Sequence, residues 1–395
     1  MNLKTFGPVD ERALKQLQNC TKQAEFAVLC ADHHPGYSQP IGGAVAYKDH
    51  ISPSGVGYDI ACGNKAVMTD AHLGDINISK VMDDIARLIG FGVGRPNPEP
   101  VDHEVFDKIA NAEFAPQRQL VDMTRAQLGT VGSGNHYVDI FADEKDRIWI
   151  GVHFGSRGFG HKTASGFLAL AKGKKFDERA PEGEMDSPPV LFETSSALGQ
   201  DYIAAMHLAG DYAYAGRDVV CNKVLEILGA KALDSIHNHH NFAWRETHFG
   251  EDVWVVRKGC TPAFPGQKGF VGANMGSVSV ILQGVDSEAS KEGLYSTVHG
   301  AGRIMSRTQA AGKMKWIQGK PTRVSTGLID WGKTQSELRK LKVELRGGGA
   351  DEAPGVYKKL DEVLEYHEGT IKILHRLRPL GVAMAGVEVH DPYKD

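Results

Sequence analysis

Ser296-Thr297-Val298-His299-Gly300-Ala301-Gly302-Arg303-Ile304-Met305-Ser306-Arg307 sets a histidine against a Gly-Ala-Gly run, with two arginines following. Glycines let backbone N–H groups approach a ligand closely, and arginines neutralise phosphate oxygens. A neutral imidazole can attack phosphorus and hold the product covalently, so His299 reads as a candidate nucleophile. From residue 293 to residue 329 there is no Asp or Glu, whereas Arg303, Arg307, Lys313, Lys315, Lys320 and Arg323 fall inside. The competing reading is a glycine turn ahead of a solvated basic helix, and spacing alone does not separate the two.

Length and composition bound the rest. A chain of 395 residues makes one large or two ordinary domains, and 41% hydrophobic with 24% charged residues is globular. No apolar stretch approaches the roughly 20 residues that span a bilayer, and the first residues lack a signal peptide's apolar core. A cytoplasmic protein without a membrane role is expected. Cys20, Cys30, Cys62, Cys221 and Cys260 are odd in number and scattered, which reads as reduced thiols. A net charge of −4 gives no global attraction to nucleic acid, so RNA would need a local patch such as residues 293–329.

Working outward, residues 10–21 have helical period, and residues 26–30 read as a buried strand. Residues 31–37, with Asp32, His33 and His34, read as a polar loop, suited either to a site or to ordinary turn chemistry. Residues 41–47 look extended. Asp59 and Cys62 stand three residues apart among glycines, a hard oxygen and a soft sulfur that can share an ion, while a thiolate can bridge two. The alternative is a cysteine buried as a small hydrophobe. Residues 73–92 look helical. Residues 129–140 run from a glycine loop into a strand, with Asn135, His136 and Asp139 able to reach one point. Residues 149–158 read as a strand delivering His153, then a glycine turn with Arg157.

Residues 171–200 form a polar, proline-broken insertion, and residues 202–228 one or two packed helices. Of His237, His239 and His240, strand alternation lets one or two at most serve as ligands. Residues 253–259 make a strand ending in two cations, and residues 270–282 lead small residues into another. Residues 338–345 read as a helix broken by Arg346 to Gly349, and residues 357–377 as a long amphipathic helix.

Five separated pieces, in this order, resemble the RtcB family of RNA ligases. They are Gly57-Tyr58-Asp59-Ile60-Ala61-Cys62-Gly63, Gly132-Ser133-Gly134-Asn135-His136, His153-Phe154-Gly155-Ser156-Arg157-Gly158, His239-His240-Asn241 and His299-Gly300-Ala301-Gly302-Arg303. Arg257-Lys258-Gly259 and Asn274-Met275-Gly276 match between the last two. The resemblance covers about residues 26–386. It implies a single α+β domain over residues 1–395, with central β-sheets lining a dinuclear metal site and helices outside. The insertion at about 171–200 and a short extension at 387–395 would be additions to it.

The resemblance also implies a chemistry. Family members join a 2′,3′-cyclic-phosphate or 3′-phosphate RNA end to a 5′-hydroxyl end, in tRNA splicing or RNA repair, using GTP and two Mn²⁺. Carried over, His299 is the guanylylated nucleophile. Asp59 and Cys62 are shared by both metals, with His136 on one and His153 and His240 on the other. Guanine-nucleotide contacts fall to Asn135, His136, Tyr137, Val138, Asp139, His240, Asn241, Gly272, Ala273, Asn274, Met275, Ser279, His299, Gly300, Ala301 and Gly302, with Tyr357 as a stacking ring.

Three positions depart from the family: Asp139, Asn274 and Ala385 stand where Glu, Ser and a near-terminal Lys usually contact the nucleotide. Lys394 and Arg346 are the cations available to replace that lysine. An exposed, oxidisable Cys62 thiolate is expected. The rivals are a metal-dependent RNA-end phosphoesterase and a non-catalytic RNA-binding paralogue.

Overall fold

Two β-sheets meet at an edge, and the candidate residues sit along the seam. The computed structural model describes residues 2–178, 184–318 and 320–389. The smaller sheet has five strands in the order Asn2–Thr5, Phe26–His34, Ile41–Tyr47, Glu251–Lys258, Asn241–His248. All neighbours in it are antiparallel except the first pair. The larger sheet runs Lys268–Val271, Ser279–Gly284, Ile371–Gly386, Tyr137–Ala142, Arg147–Phe154, Gly63–His72, Ala232–His239. Glu344–Gly348 adds to it by pairing parallel with Ile371–Gly386. Its central strands are buried on both faces, with Val138, Ile140, Ile148, Ile150 and Val152 on one side and Phe141 and Trp149 on the other.

One face is covered by the helix Ala197–Leu228, a single element of 32 residues. It starts where the Ser196 hydroxyl accepts from the Gly199 N–H, and stops at Gly229 in the left-handed region (φ 63°). Gly216, where a Cβ would stand 3.4 Å from the Phe154 ring, lets it approach the sheet; Val220, Cys221, Val224 and Leu228 pack on that sheet, and Ala205, Ala209, Ala213, Met206, Tyr202 and Tyr212 join Phe159 and Phe167 in the main core. The helix takes up residues 197–200 of the stretch assigned to the insertion. Among the described insertion residues, Met185 and Asp186 accept from the Gln16 side chain, tying that segment to the helix Glu11–Cys20.

Several expectations need correcting. The strand Phe26–His34 runs through the expected polar loop and pairs again with its neighbour at His34↔Ile41, and Asp32, with no exposed surface, has its carboxylate's partners at His299. The helical stretch at 73–92 is Ile78–Leu88, capped by Asn77 after a short 3₁₀ turn. The expected helix at 338–345 is instead Trp331–Lys340; Lys342 turns the chain at φ 58° into a strand that carries Arg346. The long helix at 357–377 is not formed. Leu360–Glu365 makes one short helix, Gly369 turns the chain (φ 81°), and Ile371–Gly386 is a 16-residue strand. Ile371 and Ile373 alternate with Lys372, and β-branched residues at period two suit a strand, here paired first with Ser279–Gly284 and further along with Tyr137–Ala142.

The basic segment does not form one helix either. It holds the five-residue helix Arg307–Ala311 and a hairpin of Met314–Ile317 with Lys320–Arg323. All five cysteines are free. No helix among the described residues is long and apolar enough to cross a membrane.

Candidate active site

His299 follows the strand Ser296–Val298, and its imidazole is fixed by one buried carboxylate. Asp32 Oδ2 accepts from the His299 backbone N–H at 3.0 Å, pairs with His299 Nδ1 at 2.7 Å and takes the Gly300 N–H at 3.3 Å. Burial alone would raise the Asp32 pKa, but the His299 charge and these hydrogen bonds outweigh it and hold the carboxyl below its usual range. The Asp32 carboxylate therefore orients the ring with Nδ1–H inward and leaves Nε2 free. Gly302 permits the approach: its φ is 78°, and a Cβ there would stand 2.0 Å from the Asp32 carbonyl oxygen.

Facing His299 is a cluster of metal-capable donors. The turn Asp59 to Cys62 closes with Cys62 N–H donating to the Asp59 carbonyl, just ahead of the strand Gly63–His72. Gly155 leaves room for the carboxylate, since a Cβ there would lie 2.2 Å from Asp59 Oδ1. Asp59, Cys62 and His136 form one group with ligand atoms within 4.8 Å of one another; Cys62, His153 and His240 form a second. Cys62 Sγ lies 3.2 Å from His153 Nε2 and 3.7 Å from His136 Nε2, and Asp59 Oδ2 lies 3.1 Å from His136 Nε2. The His240 ring is 5.1 Å from His153 and 4.9 Å from His299.

The electrostatics suit cations. Burial lowers the pKa of His153 and His240 well below the usual imidazole range, so both are neutral lone-pair donors. The His240 Nδ1 is buried without a hydrogen-bond partner. The Asp59 carboxyl, despite burial, is held down to about 2 by His136 and by its bond to Cys62. Five donors arranged as two groups sharing one thiol fit a pair of divalent cations. The exposed thiolate expected for Cys62 is not found: the group is 5% exposed, and burial followed by the Asp59 charge pushes the thiol pKa well up. A third group, Asp143, Glu144 and His375, is unlike these, because Asp143 is saturated by Trp149 Nε1, Arg147 Nε and two backbone N–H groups.

These residues line a cleft of about 1370 Å³ that also reaches Asn135, Tyr137, Asp139, Asn241, Gly272, Ala273, Asn274, Met275, Gly300, Ala301, Gly302 and Tyr357. Tyr137 and Asp139 face the cleft, while Val138 between them is buried in the core on the other side. Tyr137 Oη and Asp139 Oδ1 are buried without partners, and burial raises the Asp139 pKa well above its usual value. Ser279 lies behind the wall, its hydroxyl accepting from the Ala273 N–H at 3.0 Å. Tyr357 is pinned, with Arg303 5.2 Å over its ring and Glu352 accepting from its hydroxyl.

Of the six cations in the acid-free segment, Arg303 and Arg307 are neutralised from outside it by Asp351 and Glu352. Lys258 lines the cleft 7% exposed, donates to the Tyr37 carbonyl at 2.6 Å, and is brought down to about 8 by burial. Arg346 is committed to Asp83, Glu344 and Ser79 and does not line the cleft. Lys394 lies outside the described residues. Ala385 does not line the cleft, whereas Val382 and Met384 on the same strand do.

Two residues at the centre escaped assignment from sequence. Asp32 carried only the signal of an acid beside two histidines. Arg217 carried a subtler one, a cation at an apolar-face position of a helix, between Ala213 and Val220.

The family model described as tRNA-splicing ligase RtcB matches residues 13–385. The chain is 29% identical over 403 residues to the RNA-splicing ligase RtcB1 of Escherichia coli, covering 94% of this chain and 93% of that protein. It is 28% identical over 458 residues to the tRNA-splicing ligase RtcB of Archaeoglobus fulgidus, covering 95% and 91%. The corresponding Thermococcus kodakarensis protein is 29% identical over 458 residues, covering 94% and 91%. With the model spanning nearly its whole length and the α+β fold in agreement, this chain belongs to the RtcB family.

Proposed function

We propose that the chain is a GTP- and Mn²⁺-dependent RNA ligase that joins 2′,3′-cyclic-phosphate or 3′-phosphate ends to 5′-hydroxyl ends. The observation that carries this reading is His299, held by Asp32 through Nδ1, with its ring 4.9 Å from His240 in the donor cluster. A fixed imidazole facing cation ligands in a large cleft suits nucleophilic attack on a phosphate ester.

His299 Nε2 forms a bond to the α-phosphorus of GTP as the bond to the β-phosphate oxygen breaks and pyrophosphate leaves. Asp32 balances the positive charge that the ring acquires. Two divalent cations held by Asp59, Cys62, His136, His153 and His240 would supply positive charge against the phosphate oxygens. The guanylate then passes from Nε2 to an oxygen of the RNA 3′-phosphate, a cyclic end having first been opened by water. Attack of the 5′-hydroxyl oxygen on that 3′-phosphorus expels GMP and forms the phosphodiester, the hydroxyl proton going to solvent. Asn135, Tyr137, Asp139 and the wall from Gly272 to Met275 are where the nucleotide would lie, with Lys258 available for a phosphate.

The test is incubation of the protein with GTP, Mn²⁺ and RNA strands bearing 3′-phosphate and 5′-hydroxyl ends. A joined product is expected. Opening of a cyclic phosphate without joining would favour the phosphoesterase reading instead.

A further inference from the structure

Arg217 is a cation with no exposed surface, in the second half of the helix Ala197–Leu228, and among the described residues it makes no ion pair. Burying such a charge is costly unless its donors are satisfied. Its partners are uncharged. Nη1 donates to the carbonyls of Ala61 at 3.0 Å and Phe154 at 2.6 Å, Nη2 pairs with His239 Nδ1 at 2.9 Å, and Nε donates to His237 Nε2 at 2.7 Å. A guanidinium has only donors, so both imidazole nitrogens must accept. Both rings are neutral, because burial and then Arg217 itself lower their pKa values.

The places gripped are the informative part. Ala61 precedes Cys62, Phe154 follows His153, and His239 precedes His240. Those three neighbours are one complete donor group. The segments belong to three different elements: the turn before Gly63–His72, the end of Arg147–Phe154, and the end of Ala232–His239. The carbonyls and the imidazole converge on one planar fork, which sets the three backbones at fixed separations. His237 and His239 share a strand face and both turn to Arg217, while His240, at the crossing to the other sheet, turns to the cleft. This divides the three histidines into two supports and one donor. Tyr214, one turn before Arg217 on the helix, packs on both supports, with ring centroids 4.2 Å from His237 and 4.0 Å from His239.

We infer that Arg217 is a positioning residue that holds Cys62, His153 and His240 together as a cation site, reaching each through the residue beside it. The inference rests on the two-cation reading of the donor cluster. Residues behind metal ligands typically contribute about 10- to 100-fold to metal affinity. Lysine cannot reproduce a fork that reaches four acceptors.

The experiment is titration of the metal-free full-length protein with Co²⁺ alone, followed by the visible absorption of cobalt bound to thiolate and imidazole. Native protein should take up two ions. Arg217→Met should weaken one of the two steps by about 10- to 100-fold and diminish the thiolate-to-cobalt absorption, with Arg217→Lys only partly restoring it. Should Arg217→Met fail to fold, His239→Leu and His239→Asn decide the matter. Leucine removes the acceptor for Nη2 and should weaken the same step, whereas asparagine offers an oxygen near the Nδ1 position and should restore it. Two cobalt steps in native protein that Arg217→Met and His239→Leu both leave unchanged, whatever happens to the melting temperature, would overturn the inference alone. Absence of two steps in native protein would overturn the two-cation reading and the inference with it.

Discussion

Asp32 Oδ2 meets both the backbone N–H and the Nδ1 of His299, at 3.0 and 2.7 Å, so one carboxylate fixes the position and the tautomer of the ring. Asp32→Asn keeps the shape but offers an N–H toward the ring and no balancing charge. Loss of the carboxylate behind a catalytic histidine costs up to about 10⁴-fold in other enzymes, and a drop of about 10² to 10⁴ in the rate of His299 guanylylation is expected here. Single-turnover adduct formation measures it, with the melting temperature as a control for folding.

Arg257, fully buried, joins the smaller sheet to the strand before His299. It bonds Glu246 at 2.6 and 3.0 Å, the Ser296 hydroxyl at 2.9 Å and the Leu294 carbonyl at 2.8 Å. Burial raises the Glu246 pKa, but Arg257 and the bond to His248 outweigh it and bring the net value below the usual one. A lowered folded-state pKa contributes stability that is complete above the unfolded value, about 4.3, and is lost as pH falls through the folded value. Glu246→Gln should therefore cost about 3 kcal/mol near pH 7, with the deficit shrinking in acid below pH 4. Denaturant unfolding between pH 3 and 7 checks this, and a pH-independent deficit would count against it.

Cys62 holds its proton in the absence of a cation, because burial and Asp59 push its pKa well up. Cation binding should then release about one proton at neutral pH and tighten as pH rises. Calorimetry in buffers of different ionisation enthalpy counts that proton, and Cys62→Ser should abolish the thiol's share of its release while lowering the bound metal.

Ala385 is buried and lies off the cleft that Val382 and Met384 line. Ala385→Lys should accordingly lower the melting temperature without improving GTP affinity, since its stem would have to be buried and its ammonium desolvated. Competition of GTP and ATP in native and variant protein reads the outcome. A tenfold gain in GTP affinity would mean that the lysine reaches the nucleotide.

Much of this was legible in sequence where local signals and tertiary partners agree. The apolar runs at 26–30, 41–47 and 149–154 are strands, and Asp59, Cys62, His136, His153, His240 and His299 lie around one cleft. Asp32 was obscured because Asp-His-His-Pro-Gly reads as a turn, and the partner that gives its carboxylate a role lies 267 residues away. The segment after Tyr357 was misread for a related reason. Leu360, Val363 and Leu364 set a helical period, and the switch to period two at Ile371 is decided by pairing with the distant strand Ser279–Gly284, with Tyr137–Ala142 taking over from Arg378. Arg217 was hidden because a cation in a long helix ordinarily faces solvent, and nothing local marks three other segments converging on it.

Incubation with radiolabelled GTP and Mn²⁺ without RNA, followed by denaturing electrophoresis of native protein and His299→Ala, tests directly whether His299 is the nucleophile. A labelled protein band, labile in acid and stable in alkali as a phosphoramidate should be, is expected in native protein, and no band in the variant. A band that persists in His299→Ala, or none in the native protein, would contradict that role.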